Sequence, residues 1–257
     1  MAGGILFNTN SLQTSNIVTS NINHQSAPDA VIDMAPIAHA DKSAVAFLQY
    51  HDKKIRISGM LIGSSQDEID ALEDTFKGYL VGKEKNLDIE RGGSYRRYIA
   101  TATSVSVVRP GGLLYALFDV EFTLSLPFGV DTAATEFLNA TGETDSSKLF
   151  PVTVGGTAEW QLPVITITLT SVTSGTAQVV SVGNDGVGQM ITLVSNFVSG
   201  DVVVINSEER AAYINGVEVD YTGNFPEFNP DLSDLTYSDS FADRTYSILG
   251  EVTKRYQ

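Results

Sequence analysis

The sequence predicts a mainly β protein with one α-helix, divided into two domains. Three observations lead there: polar and apolar residues alternate with period two along most of the chain, one segment repeats with helical period, and a small polar stretch without period lies near the middle. At 257 residues and 42% apolar side chains the chain can bury sizeable cores.

The helix is placed at about residues 65 to 81. Ser65 and Glu68 have capping-box spacing, and Ile69, Leu72, Phe76 and Leu80 recur at intervals of three and four. Asp67, Glu68 and Asp70 crowd the first turn, where negative charge suits the helix dipole, and Gly82 supplies a stop. A single apolar stripe implies a helix lying on a sheet.

The strands follow from alternation. Lys54 to Ser58 is a short case; in a longer one Phe118, Val120, Phe122, Leu124 and Leu126 alternate with polar residues. Further strands are read at Val45–Tyr50, Leu87–Arg91, Tyr98–Val108, Val164–Thr170, Ala177–Val182, Met190–Val194 and Val202–Asn206. Asn215-Gly216 joins Ala211–Ile214 to Val217–Val219 as a two-residue hairpin, because both turn positions need positive φ. Glycines 183, 186 and 188 read as a turn, since no helix follows to make them a phosphate loop. The first domain is expected at 1–135, rejoined by a terminal strand at about 244–257, with a linker at 136–149 and a compact β-sandwich at 150–243.

Composition narrows the function. There is no cysteine, which removes disulfides, thiolate metal sites and a cysteine nucleophile. A net charge of −15 disfavours stable binding to nucleic acid or anionic membranes. No signal-like N-terminus and no spanning apolar stretch are read, so a soluble product made in a cytosol is expected. His24, His39 and His51 have no metal-ligand spacing, and His39 beside Asp41 lacks any accompanying nucleophile motif. Asp231, Asp234, Asp239 and Asp243 do not follow calcium-loop order and read as solvated carboxylates. No catalytic residue, metal site or cofactor is therefore assigned. Arg91, Arg96 and Arg97, interleaved with Tyr95 and Tyr98, read as a hairpin rim that pairs with acidic groups of a neighbouring subunit, with a purely intramolecular role as the other reading. Trp160 reads as a core or interface anchor, with sugar stacking as the other reading.

The order of several segments resembles the distal tail proteins of siphophages. These are Ile55-Arg-Ile-Ser-Gly-Met-Leu-Ile62, the helix Asp67 to Phe76, Gly82 to Ile89, Arg96-Arg-Tyr-Ile-Ala100, and Phe118 to Phe122 closing with Leu126-Pro-Phe128. Downstream come Gly200 to Ile205, the Asn215-Gly216 hairpin, Phe225-Pro-Glu-Phe228 and Lys254-Arg-Tyr256, while Asp231-Leu-Ser-Asp234 departs from the glycine-asparagine pair of that pattern. The resemblance implies a non-enzymatic virion protein of the tail tip. Its first domain, a β-sandwich or barrel with the helix, would close into a homohexameric ring around the DNA channel; the second would be a sandwich like galectins or carbohydrate-binding modules. The implied partners are the tail tube protein, the hub or tape measure protein, and a fibre or receptor-binding protein, with assembly in the host cytoplasm. An acidic ring lumen would repel passing DNA. Two alternatives stand beside this reading: a tail tube protein, which would form long helical polymers, and a carbohydrate-binding adsorption module using Trp160, Tyr213 and Tyr221.

Overall fold

The computed structural model describes residues 4–24, 30–36, 43–50, 53–111 and 113–256, with side chains left aside for 24, 30–36 and 43–50. The chain divides into two compact units between Asp131 and Thr132. Each has its own apolar core.

The first unit contains β1 (Ile5–Phe7), β2 (Asn10–Ser11), β3 (Ile17–His24), β4 (Ala30–Pro36), β5 (Ser43–Tyr50) and β6 (Lys54–Ile62). Then follow α1 (Gln66–Tyr79), β7 (Lys85–Arg91), β8 (Ser94–Val108), β9 (Tyr115–Leu124) and β10 (Gly129–Asp131). The main sheet runs β2-β1-β7-β8-β9-β6-β3, with β10 pairing to the start of β8. Strict alternation drives it: Ile55, Ile57 and Leu61 on β6 and Phe118, Val120, Phe122 and Leu124 on β9 are all buried on one face. Gly59 continues that face because a Cβ there would overlap the Val18 carbonyl and the Phe118 ring. The two sheet borders approach each other through the segment after β2, where Thr19 Oγ1 donates to the Leu12 carbonyl at 2.9 Å. Among the described residues β4 and β5 pair with each other and with no third strand.

Helix α1 covers the buried face, with Ile69, Phe76 and the C-cap Leu80 inside and the Phe76 and Phe118 rings 4.6 Å apart. Ser65 is the N-cap and its hydroxyl accepts from the Glu68 amide at 3.2 Å. The return bond differs from the expected box: the Glu68 carboxylate takes the backbone amide of Ser64, at 2.7 Å, and its hydroxyl. Glu73 is held by Lys77 at 2.8 Å and by Arg109, which ties the helix to the chain leaving β8.

The second unit contains β11 (Thr135–Glu143), β12 (Ser147–Thr153), β13 (Pro163–Val172), β14 (Gln178–Asn184), β15 (Gln189–Ser195) and β16 (Val202–Asn206). It continues with β17 (Ala211–Ile214), β18 (Val217–Glu218), β19 (Thr222–Gly223), β20 (Leu232–Asp239) and β21 (Arg244–Val252). One sheet is β11-β21-β13-β16-β17-β18 and the other is β12-β20-β14-β15-β19. Ile165, Ile167 and Leu169 of the first sheet and Val180, Val182, Ile191 and Leu193 of the second fill the core between them. Asn215 and Gly216 have φ of 52° and 77°, as the hairpin requires.

The domain expectations need correction here. Residues 136–149 are not a linker: small or polar residues such as Thr135, Asn139 and Ala140 occupy β11, which pairs with β21 from Thr135 to Glu143. Residues 244–252, expected within the terminal strand that rejoins the first unit, form β21 between β11 and β13 and bury Tyr246, Ile248 and Val252 in the second core. The long strand ends at Leu124; Leu126, read as its inner-face continuation, is exposed.

Candidate assembly surface and grooves

Alternation leaves the opposite face of the first unit's sheet to solvent. Half of it is ionic: Arg56 pairs with Asp119 at 2.6 Å and Lys54 with Glu121 at 2.8 Å. The other half is apolar. Val18, Met60, Leu117 and Val108 stand in one cross-strand row on β3, β6, β9 and β8. Leu117 is 44% and Val108 58% exposed, and the exposed Ile62, Leu113 and Leu114 lie in the same strand ends and turn. A cluster of large aliphatic side chains at one end of a sheet face, rimmed by ion pairs, is a surface built for contact.

The basic hairpin is engaged in part within its own unit. Arg97 is held within the unit by a two-point bond to Asp88, at 2.8 and 2.9 Å, and Tyr98 is buried against Gly129. Lys53 is buried as well, and burial, with Arg91 and Arg96 nearby, pushes its ammonium pKa down. His39, His51 and Asp41 lie outside the described residues, as does the His24 side chain.

In the second unit the four aspartates do not gather. Asp239 is buried and ion-paired to Arg244 at 2.9 Å, while Asp231 and Asp234 are exposed. The sequence signal for Asp239 was present in Arg244, five positions on, but its burial comes from packing that spacing does not report. Among the described residues no group of three His, Asp or Glu is arranged to hold a metal. No helix among them is long and apolar enough to cross a membrane. Two open grooves mark this unit. One, of about 860 Å³, runs along Leu193, Ile214 and the exposed Tyr221. The other, of about 400 Å³, is lined by Trp160, Asn184 and Asp231 among others. Tyr213 lines neither groove, and its hydroxyl donates to Glu209 at 3.1 Å.

A curled sheet with a helix on its inner face and an apolar outer patch, together with a separate β-sandwich, define a two-unit, mainly β protein. Residues 155–248 match the family model described as siphovirus-type tail component, C-terminal domain. Over its whole length the chain is similar to the crystal structure of the Dit protein (gp 19.1) of phage SPP1, described as a paradigm of hub adsorption apparatus in phages infecting Gram-positive hosts. The TM-score is 0.73 with 12% identity, covering 100% of both chains. A chain of the phage P2 baseplate, in its activated conformation with calcium, gives a TM-score of 0.46 at 9% identity, covering 99% of this chain and 98% of that one. No curated protein matches the sequence. Residues 155–248, within the second unit, thus carry the match to the siphovirus-type tail component domain, and the whole chain shares the fold of the SPP1 Dit protein.

Proposed function

We propose that six copies of this chain close into a ring at the tail tip, surrounding the DNA channel and joining the tail tube above to the hub and fibres below. The observation that carries the reading is the apolar outer patch of the first unit around Leu117 and Val108, which is stable in water only at a cost that a neighbour's surface removes. The hairpin β4–β5 supports it, since a two-stranded ribbon is marginal alone and gains from pairing or packing with another chain. Rotational closure of one heterologous contact yields a ring. The partners proposed are the tail tube, the hub or tape measure protein and a fibre or receptor-binding protein, in the virion after assembly in the host cytoplasm. The chain acts as a joint, with no catalytic step. The net charge of −15 suits a conduit through which DNA slides without sticking.

Native mass spectrometry with negative-stain imaging tests this. Six-subunit annuli are expected, and Leu117→Asp, at a position 44% exposed on the outer face, is expected to yield folded monomers. Long helical polymers would instead favour a tube protein, and a monomer at every concentration would remove the ring.

A further inference from the structure

Three strands of the first unit end their inner-face alternation on a cation, at the same end of the sheet. Ile57 and Ile55 lead to Lys53, one position before β6; Leu87 and Ile89 lead to Arg91 on β7; Ala100 and Tyr98 lead to Arg96 on β8. Register brings them together. The Lys53 carbonyl accepts from the Leu124 amide at 2.9 Å, Leu124 pairs with Ala100, and the β7–β8 hairpin runs on past that point. The inner face therefore opens at this end into a mouth edged by positive charge. Arg96 stands across from Asp131 of β10, whereas neither Lys53 nor Arg91 has an ion pair or a side-chain hydrogen bond among the described residues. Lys53 is only 6% exposed. Burial, followed by the two guanidiniums, holds its pKa below the ordinary 10.5, so its ammonium form destabilises the free subunit.

We propose that this mouth receives a carboxylate from a second copy of the chain. The occupant follows from charge. With 31 acidic and 16 basic residues, a second copy presents mostly carboxylates, and a cationic mouth is where such a surface is attracted instead of repelled. A carboxylate accepts several hydrogen bonds at once, which suits a lysine beside two guanidinium forks. A nucleic-acid backbone fits less well, because repeated phosphate contacts need a broad positive field and the net charge is −15. The inference rests on the association of copies proposed above and adds to it a contact of opposite character to the apolar patch. Lys53 weakens the free subunit and strengthens the assembly.

Lys53→Met keeps an unbranched side chain and removes the charge. In the monomeric Leu117→Asp background it is expected to leave the urea midpoint unchanged or to raise it. In the otherwise unaltered chain it is expected to raise the concentration needed for assembly about tenfold, read by native mass spectrometry, with Lys53→Arg assembling nearly as the parent does. Carbodiimide joins an amine to a carboxylate in contact with it. In assemblies of mixed isotope-labelled and unlabelled copies it is expected to link Lys53 to an aspartate or glutamate of another copy. Six-subunit rings that form equally well with Lys53→Met, or that lack this link, would overturn the site and leave the ring. Assemblies of another size that Lys53→Met weakens would keep the site and remove the ring, and a chain that never associates would remove both. A lower urea midpoint of Lys53→Met in the monomer would show the ammonium already compensated, and duplex DNA bound through Lys53 would transfer the mouth to phosphate; either result overturns the assignment.

Discussion

Two tyrosines stack inside the second unit, their ring centroids 4.1 Å apart, and their hydroxyls meet opposite environments. Tyr237 donates to Asp239 at 2.8 Å, within a buried group where Asp239 also pairs with Arg244 and accepts the Phe241 amide. The Tyr246 hydroxyl is buried with no hydrogen-bond partner among the described residues. Burial is the largest cause pushing both phenol pKa values above their ordinary 10, so the neutral forms stabilise the fold below pH 10 and this contribution is lost as pH rises beyond it. Removing an unpaired buried hydroxyl is nearly neutral or favourable, whereas removing a paired one leaves its partner unsatisfied. Tyr246→Phe is therefore expected to hold or raise the urea midpoint, and Tyr237→Phe to lower stability by about 1–3 kcal/mol. Equal losses in the two variants would contradict this account. The sequence reading missed this group because it treated Asp239 as a solvated carboxylate; nothing in the spacing of Asp239 and Arg244 announces that the Asp239 side chain is fully buried.

At the scale of elements, helix α1 was legible nearly to the residue, since its signals are local: a capping serine, an acidic first turn and an apolar stripe. Strands such as β6, β9 and β16 were legible from alternation. Others were not: β1 and β2 are too short to show a period, and β11 carries small polar residues whose strand state depends on pairing with β21, about a hundred positions away. The outer apolar row of Val18, Met60, Leu117 and Val108 was likewise invisible, because it exists only across four strands. The helix offers a pH test. Hydrogen bonds from the Ser64 side chain and backbone hold the Glu68 carboxyl below its ordinary 4.5, and the bond from Lys77, with Arg109 contributing, does the same for Glu73. A depressed carboxyl pKa stabilises the fold above 4.5 and loses that effect as pH falls through the folded value. Glu68→Gln should flatten the fall in stability below pH 4.5 in chemical denaturation. Ser65→Ala should cost about 1 kcal/mol at neutral pH through the lost cap. An unchanged acid slope in Glu68→Gln would show that the carboxylate bonds contribute nothing.

For the whole molecule, the separation of the two cores has a thermodynamic consequence. The first core draws on residues from Ile5 to Leu124 and the second on residues from Phe150 to Val252, with no member in common. Units that share no core unfold as separate cooperative steps, so calorimetry is expected to resolve two transitions. Val120→Ala, at a fully buried site of the first core, should lower only one of them, and Ile167→Ala, fully buried in the second, only the other. The Ile167 change should cost about 2–5 kcal/mol. Assembly adds a sharper distinction. If the first unit makes the ring contacts, subunit association stabilises it by mass action, so the transition sensitive to Val120→Ala should rise in temperature with protein concentration while the Ile167-sensitive one stays fixed. A single transition displaced by both substitutions would mean the units unfold together; two transitions with the concentration dependence on the Ile167-sensitive step would move the proposed interface from the curled sheet to the sandwich.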